Sequence, residues 1–249
     1  MIILKSPQEI QTMARAGEIV ADVLKSLQGI ITAGATTKEL EQFADERIRA
    51  RGGTSAFKGY RGYPSSICTS VNEVVVHGIP SSRKLKEGDI ISIDIGVYYE
   101  GFFGDAAYTF PVGSVDPDTA KLLRVSEEAL YLGISMAVEG NRLYDVSHAI
   151  QEHVEKNGFS VVRTFVGHGI GRQLHEEPQV PNFGVAGQGP RLRRGMTLAI
   201  EPMVNAGTFE VKVLDDGWTA VTQDGKRSAH FEHTVVVMPS AARILTNLS

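Results

Sequence analysis

The sequence predicts an α+β fold built from two similar halves. Predicted helices followed by predicted strands occur twice, in residues 1–115 and again in residues 116–249. A segment is also repeated: LKEGDIISID ends at Asp94, and LRRGMTLAIE ends at Glu201. In each copy a leucine precedes a glycine by three residues, and the acid follows that glycine by six. We interpret the repeat as a duplicated unit, with chance similarity between two short apolar strands as the alternative.

Composition and charge exclude several classes of protein. The 249 residues are 42% hydrophobic and 22% charged, which is typical of a globular chain, and the net charge is -4. Without a basic block, neither nucleic acid nor an anionic membrane is an expected partner. No run approaches the roughly 18 apolar residues of a membrane span, and the first residues predict a helix start rather than a signal peptide. The single cysteine, Cys68, fits a reducing compartment, so we expect a cytoplasmic protein.

Four helices are predicted from their start and stop signals. The capping boxes SPQE at 6–9 and TTKE at 36–39 begin the first two, and glycines 52–53 end the second. A third helix is expected over 116–138, with proline in its first turn. A fourth is expected over 143–157.

The apolar run over 89–110 predicts a β-hairpin that carries two acids. A turn at Tyr99–Glu100 would place Asp94 directly opposite Asp105. Opposed side chains in a hairpin lie about 5 Å apart. Two carboxylates repel by about 4 kcal/mol at 4 Å when the effective dielectric constant is near 20. A bound cation would remove this repulsion.

The second half of the sequence supplies further potential ligands. Glu201 interrupts an apolar strand, Glu232 lies on the last predicted strand, and His168 lies in a glycine-rich loop. Carboxylates in the majority, with one imidazole, suit hard or borderline divalent ions. Two such ions would balance four carboxylates. The segment HEEPQ lacks the second histidine of HExxH, so the zincin pattern is excluded.

Six motifs together identify a known family. They are HGIP at 77–80, SIDIG at 92–96, GDAAYTF at 104–110, GHGIGRQLHEEP at 167–178, IEPM at 200–203 and FEHT at 231–234. The sequence resembles the methionine aminopeptidases over essentially its whole length. The resemblance implies the pita-bread fold and a single catalytic domain over residues 1–249. Because only 31 residues separate Glu201 from Glu232, the long insertion of type II enzymes has no room, and the short bacterial type I form is expected.

The resemblance also implies a set of site residues. The ligands of two divalent ions (Co, Mn, Fe(II), Zn or Ni) would be Asp94, Asp105, His168, Glu201 and Glu232. The catalytic residues would be His77, His175 and Glu201. The substrate would be bound by Tyr60, Tyr63, Cys68, His77, His175 and Trp218. Leu174 stands where short bacterial forms often have phenylalanine, so one wall of the methionine pocket should differ.

The activity implied by the resemblance is removal of the N-terminal methionine when the second residue is small. A hydroxide bridging the metals would attack the first peptide bond, with Glu201 as the general base. His175 would stabilise the oxyanion, and His77 would contact the scissile amide. The substrate amino group would lie against a metal and Asp94. The expected partners are peptide and nascent-chain N-termini, with the ribosome as a candidate, and the expected state is a monomer.

Two alternatives of the same fold remain open at this point. An Xaa-Pro aminopeptidase would cleave X-Pro-X rather than Met-Ala-X peptides, and such enzymes generally carry an extra N-terminal domain. A non-catalytic pita-bread binding protein would have lost ligands, whereas the full set is present here.

Overall fold

The computed structural model describes residues 1–248 and contains two helix pairs in this range. The α-helices are α1 (Pro7–Leu27), α2 (Thr37–Ala50), α3 (Pro117–Met136) and α4 (Leu143–Lys156). A short 3-10 turn covers Tyr60–Gly62. Both predicted capping boxes are confirmed, since the N-cap hydroxyl and the glutamate three residues later each accept the other's backbone N–H. Within residues 1–248, no helix combines the length and apolar character needed to cross a bilayer.

Strands follow each helix pair. Those after the first pair are β1 (Thr54–Ser55), β2 (Cys68–Val71), β3 (Val74–Val76), β4 (Ile90–Tyr99) and β5 (Phe102–Pro111). Those after the second pair are β6 (Ser160–Val161), β7 (Gly167–Gly169), β8 (Glu176–Val180), β9 (Thr197–Ile200), β10 (Met203–Asn205), β11 (Val211–Val213), β12 (Ala220–Thr222), β13 (Ser228–His230), β14 (His233–Val236) and β15 (Arg243–Ile244).

All strand pairings are antiparallel among the described residues. In the first half β4 pairs with β5 on one edge and with β1 and β2 on the other. The second half contains a five-stranded sheet in the order β15-β14-β9-β7-β8. Two three-stranded sheets complete the fold, in the orders β13-β10-β6 and β11-β12-β3. One large apolar core lies between α1, α2 and the first sheet, and another lies between α3, α4 and the second sheet.

The predicted register of the β4–β5 hairpin is wrong. The turn is at Glu100–Gly101, and Asp94 pairs with Ala107 while Asp105 pairs with Gly96. Both turn residues have positive φ, 45° and 89°, which is the geometry of tight hairpin turns that match strand twist, and glycine adopts it readily. Moving the turn by one residue shifts the pairing by two, so both aspartates remain on the same face of the sheet. They are diagonal rather than opposed neighbours.

The two halves are joined along β5. Thr234 donates its hydroxyl to the carbonyl of Asp105 at 2.8 Å and accepts the Asp105 N–H at 3.0 Å. The N–H of Glu232 donates to the carbonyl of Ala107 at 2.9 Å. Asp105 and Glu232, which are 127 positions apart in the chain, are therefore brought together by hydrogen bonds to the backbone of β5.

The repeated segment has two matching backbone features in the two halves. Its glycines, Gly88 and Gly195, have φ of 85° and 87°. In each half, the residue just before the repeated leucine forms an isolated β-bridge with the residue just before the second helix. Lys84 pairs with Thr36 in the first half, and Arg191 pairs with Arg142 in the second. Each repeat then leads into a strand that carries or precedes an acid.

The Gly167→Ala substitution is expected to destabilise the protein. Strand β7 lies between β8 and β9, and a Cβ on Gly167 would lie 2.4 Å from the carbonyl oxygen of Ala199. Backbone must move to relieve that overlap, at a cost of about 1–3 kcal/mol. Gly29→Ala is the matched control, because its nearest neighbour would lie at 3.6 Å. Chemical denaturation of both variants measures the difference, and equal stabilities would contradict the close packing of β7.

Candidate active site

A cavity of about 150 Å³ opens above the junction of the two halves. It brings together every site residue predicted from the sequence. Its lining residues are Phe57, Tyr60, Arg61, Tyr63, Cys68, His77, Asp94, Asp105, His168, Leu174, His175, Glu201, Trp218 and Glu232.

Four carboxylates meet at the floor of the cavity. Asp94 and Asp105 come from β4 and β5, Glu201 directly follows β9, and Glu232 lies between β13 and β14. Asp105 and Glu232 are 4% and 2% exposed. One oxygen each of Asp94, Asp105 and Glu232 is buried without a hydrogen-bond partner among the described residues. Buried carboxylate oxygens of this kind are costly unless a proton or a cation neutralises them.

Burial perturbs the pKa of all four acids. Desolvation raises the pKa of Asp94 to about 7, and the nearby Glu201 adds to this effect. Desolvation also raises the pKa of Glu201 to about 7. The pKa values of Asp105 and Glu232 are raised well above their ordinary range, by burial first and then by the other carboxylates. The protein alone therefore disfavours the charged forms that the fold brings together.

The donor atoms form two overlapping groups. Asp105, His168 and Glu232 offer ligand atoms within 4.8 Å of one another, and so do Glu201, His230 and Glu232. Because Glu232 belongs to both groups, it can bridge two ions. The unpartnered oxygens and the mixed carboxylate–imidazole donor set fit divalent metal ions.

His168 is oriented as a ligand. Its Nδ1 lies 3.0 Å from the carbonyl oxygen of Gly169, which can only accept, so Nδ1 carries the proton. Nε2 is the ring nitrogen left to bind a metal, and it faces Glu201 at 3.5 Å and Asp105 at 3.9 Å. A backbone hydrogen bond that fixes the tautomer is common for metal-binding histidines.

Two other histidines lie on the walls of the cavity. The ring of His175 stacks on Tyr60 with centroids 5.2 Å apart and lies 4.1 Å from the ring of His168. His77 has a positive φ of 61°, and its ring packs edge-on against Trp218 with the ring centroids 6.3 Å apart. Burial lowers the pKa of His175 to about 3 and that of His77 to about 4, so both imidazoles are neutral at pH 7. A neutral imidazole still has one N–H to donate.

The remaining wall is apolar and aromatic. Tyr63 packs edge-on against Trp218 at 5.1 Å, and its hydroxyl lies 3.1 Å from the carbonyl oxygen of Gly78. Cys68 is buried directly opposite Asp94 in the β2–β4 pair, and burial raises the pKa of its thiol. Leu174 is 2% exposed. The predicted pocket residues therefore do lie together beside the carboxylates.

Three residues of the site were missed by the sequence analysis. The ring of Phe57 occupies the space beside Gly96, where a Cβ on the glycine would lie 2.5 Å from that ring. A glycine inside a strand indicates such a close approach in the sequence. Arg61 lies at the rim, with its guanidinium 5.4 Å from the centre of the Tyr60 ring. His230 is buried, and its Nε2 is 3.5 Å from Glu201. In the sequence, the position of His230 two residues before the potential ligand Glu232 was the feature that could have indicated its place in the site.

The fold and the donor set define a metal-dependent enzyme of the pita-bread class. Residues 11–239 match the model of metallopeptidase family M24. A methionine aminopeptidase from Clostridium perfringens is 55% identical, with 99% of both chains covered. Methionine aminopeptidase 1 from Bacillus subtilis is 54% identical, with both chains covered completely. The crystal structure of a methionine aminopeptidase from Thermotoga maritima superposes with a TM-score of 0.98 at 51% identity, covering 99% of this chain and 100% of the other.

The chain therefore belongs to metallopeptidase family M24 and, within it, to the methionine aminopeptidases. The predicted resemblance to the type I bacterial form and the predicted pita-bread fold are confirmed, and the chain is a hydrolase. Prolidase from Pyrococcus horikoshii shares the fold alone, with a TM-score of 0.81 at 21% identity. The Xaa-Pro and non-catalytic alternatives are not favoured.

Proposed function

We propose that this enzyme removes the N-terminal methionine from peptides and nascent proteins whose second residue is small. The observation that carries the proposal is the junction of an aromatic, apolar wall with four carboxylates in one cavity of about 150 Å³. A single thioether side chain would lie against the aromatic and apolar part of this cavity, beside the carboxylates. Contact between a methionine sulfur and aromatic rings is favourable. Because the carboxylates come from both halves, we also propose that residues 1–249 act as one catalytic domain.

We propose that the site holds two divalent ions, with Asp94, Asp105, His168, Glu201 and Glu232 as ligands. The sharing of Glu232 between two donor groups supports this number. Such ions would supply a nucleophilic water of lowered pKa and polarise the peptide carbonyl. Co, Mn, Fe(II), Zn and Ni are all compatible with this donor set.

The protein side chains would bind the substrate, transfer protons and stabilise the oxyanion. The ammonium group of the substrate would lie against a metal and Asp94, which is less buried than Asp105 and pairs with Cys68 of the pocket wall. Glu201 would accept the proton of the attacking water. His175 would donate its N–H to the oxygen of the scissile carbonyl as charge develops there, which a neutral imidazole can do. His77, also neutral, would hydrogen-bond to the scissile amide, and the proton that Glu201 takes from the water would be delivered to the leaving amine nitrogen held beside it.

We also propose a cellular setting for the activity. A chain with one buried cysteine is compatible with the reducing cytoplasm. We propose a monomer that acts on N-termini as they become accessible, with the ribosome as a candidate partner.

Peptide selectivity tests the proposed function. Met-Ala-Ser is expected to be cleaved, because the methionine enters the pocket while alanine leaves room above the carboxylates. Met-Leu-Ser is expected to react at least tenfold more slowly, and Ala-Pro-Ser not at all. Release of the first amino acid can be followed by liquid chromatography. Faster cleavage of Ala-Pro-Ser than of Met-Ala-Ser would favour the Xaa-Pro alternative instead.

A further inference from the structure

The loop over residues 171–176 is tied to the start of the chain through Glu176. One oxygen of the Glu176 carboxylate accepts a hydrogen bond from Nζ of Lys5. The other oxygen accepts the backbone N–H groups of residues 172 and 173 at 2.7 and 3.2 Å. The same carboxylate therefore closes the loop on itself and fixes it to the segment that precedes α1.

The Lys5–Glu176 ion pair is buried in a close-fitting slot. The two side chains are only 3% and 6% exposed. A Cβ on Gly171 would lie 2.2 Å from Cε of Lys5, and the Lys5 N–H donates to the carbonyl of Gly195 at 2.8 Å. Removing one partner of such a pair leaves the other charge buried and uncompensated. The slot therefore defines one position for the loop.

This loop carries two groups of the active site. His175 precedes Glu176 directly, and its ring lies against Tyr60 and His168. Leu174, one residue earlier, forms part of the apolar wall. The loop could therefore not shift without moving the imidazole proposed to stabilise the oxyanion.

A second ion pair links the same two segments but is exposed. Arg172 contacts Glu9 at 3.0 Å, and the arginine side chain is 63% exposed. Exposed pairs contribute little because solvent screens them. The effect of removing the buried Lys5–Glu176 ion pair can therefore be compared with the effect of removing the exposed Arg172–Glu9 ion pair.

We propose that Lys5 is a positioning residue for catalysis, which acts through Glu176 to hold His175 against the reacting carbonyl. This inference rests on the proposed role of His175. Lys5 does not line the cavity, so any effect on turnover must be transmitted by the loop.

Substitution of Lys5 is expected to lower kcat about 10- to 100-fold, since a catalytic group displaced by about 1 Å can cost that much. Lys5→Met leaves Glu176 unpaired, so the Lys5→Met/Glu176→Gln double variant is measured as well. Its glutamine can still accept the backbone N–H groups of the loop, but the connection to residue 5 is lost. Glu9→Gln is the control: it removes the exposed pair, keeps the capping box and should leave kcat within twofold.

The effect is assigned to His175 by repeating the double variant in a His175→Ala background. If Lys5 acts through His175, the added substitutions should change kcat less than twofold there. Hydrogen exchange provides a readout independent of catalysis. The amides of residues 172 and 173 should exchange faster in the double variant, although its introduced glutamine can still accept them, because a loop that is no longer fixed to residue 5 opens more often.

Three outcomes would overturn the inference. The same loss of kcat in both backgrounds would mean that Lys5 acts elsewhere, and unchanged exchange would mean that the pair does not hold the loop. Wild-type turnover in His175→Ala alone would instead contradict the proposed function, and the positioning role would fail with it.

Discussion

Removal of divalent metal is expected to abolish aminopeptidase activity and to lower the unfolding temperature at neutral pH. Without cations, four buried carboxylates face one another, and each is desolvated. A ligand present at a hundredfold excess over its Kd stabilises the folded state by about 2.7 kcal/mol. Chelation followed by addition of Mn, Co or Fe(II) should restore both properties. Full turnover of exhaustively stripped protein would contradict a metal-dependent mechanism.

The stabilisation of the folded protein by metal should increase as the pH rises. The folded-state pKa values of Asp94 and Glu201, about 7, lie above their ordinary values of 3.8 and 4.5. Between about pH 4 and pH 7 the folded protein therefore binds more protons than the unfolded chain, and the stability of the metal-free protein falls as the pH rises. Cations replace those protons in the loaded protein. The difference in unfolding temperature should widen from pH 5 to pH 7.5.

A variant provides the control for this pH dependence. Metal-free Asp94→Asn has one titrating carboxylate fewer, so its stability should fall less steeply over the same range. Calorimetry at several pH values compares the two proteins with and without metal. Parallel stability curves for the loaded and stripped forms would show that the carboxylates do not share the predicted environment.

Glu201→Gln and His175→Ala are expected to fail in different ways. Glu201→Gln removes a metal ligand together with the proposed base, so metal content and activity should both fall. His175→Ala removes a donor that is not needed to bind metal, so metal content should be retained. Its kcat should drop about 10²–10³-fold, as for other single oxyanion donors. KM should change less, because the interaction strengthens only as charge develops in the transition state.

The comparison requires metal analysis and steady-state kinetics on Met-Ala-Ser for both variants. His148→Ala is a suitable control for the loss of an imidazole, because this histidine is exposed on α4 and lies 3.9 Å from Glu152. It should behave as wild type. If His175→Ala loses metal as readily as Glu201→Gln, then His175 is itself a ligand and the proposed ligand set is wrong.

Much of the molecule was predictable from local patterns in the sequence. The capping boxes placed the starts of α1 and α2, because capping depends on residues within one turn. The repeated spacing from glycine to acid marked Asp94 and Glu201, which do lie in the same cavity. Acids inside apolar strands are informative on their own, since an unpaired buried charge is too costly to occur without a partner.

The tertiary structure alone decided how these pieces meet. The register of β4 and β5 depended on which residues took positive φ in the turn, and a one-residue error misplaced Asp105 relative to Asp94. His230 looked like an ordinary strand residue until the pairing of β13 with β10, which sets it opposite Met203, brought it beside Glu201. Lys5 and Glu176 are 171 positions apart, and nothing local to either residue indicates the other. Contacts between distant segments arise from the packing of whole elements, so local sequence patterns determined which side chains carry the chemistry, whereas packing determined which of them touch.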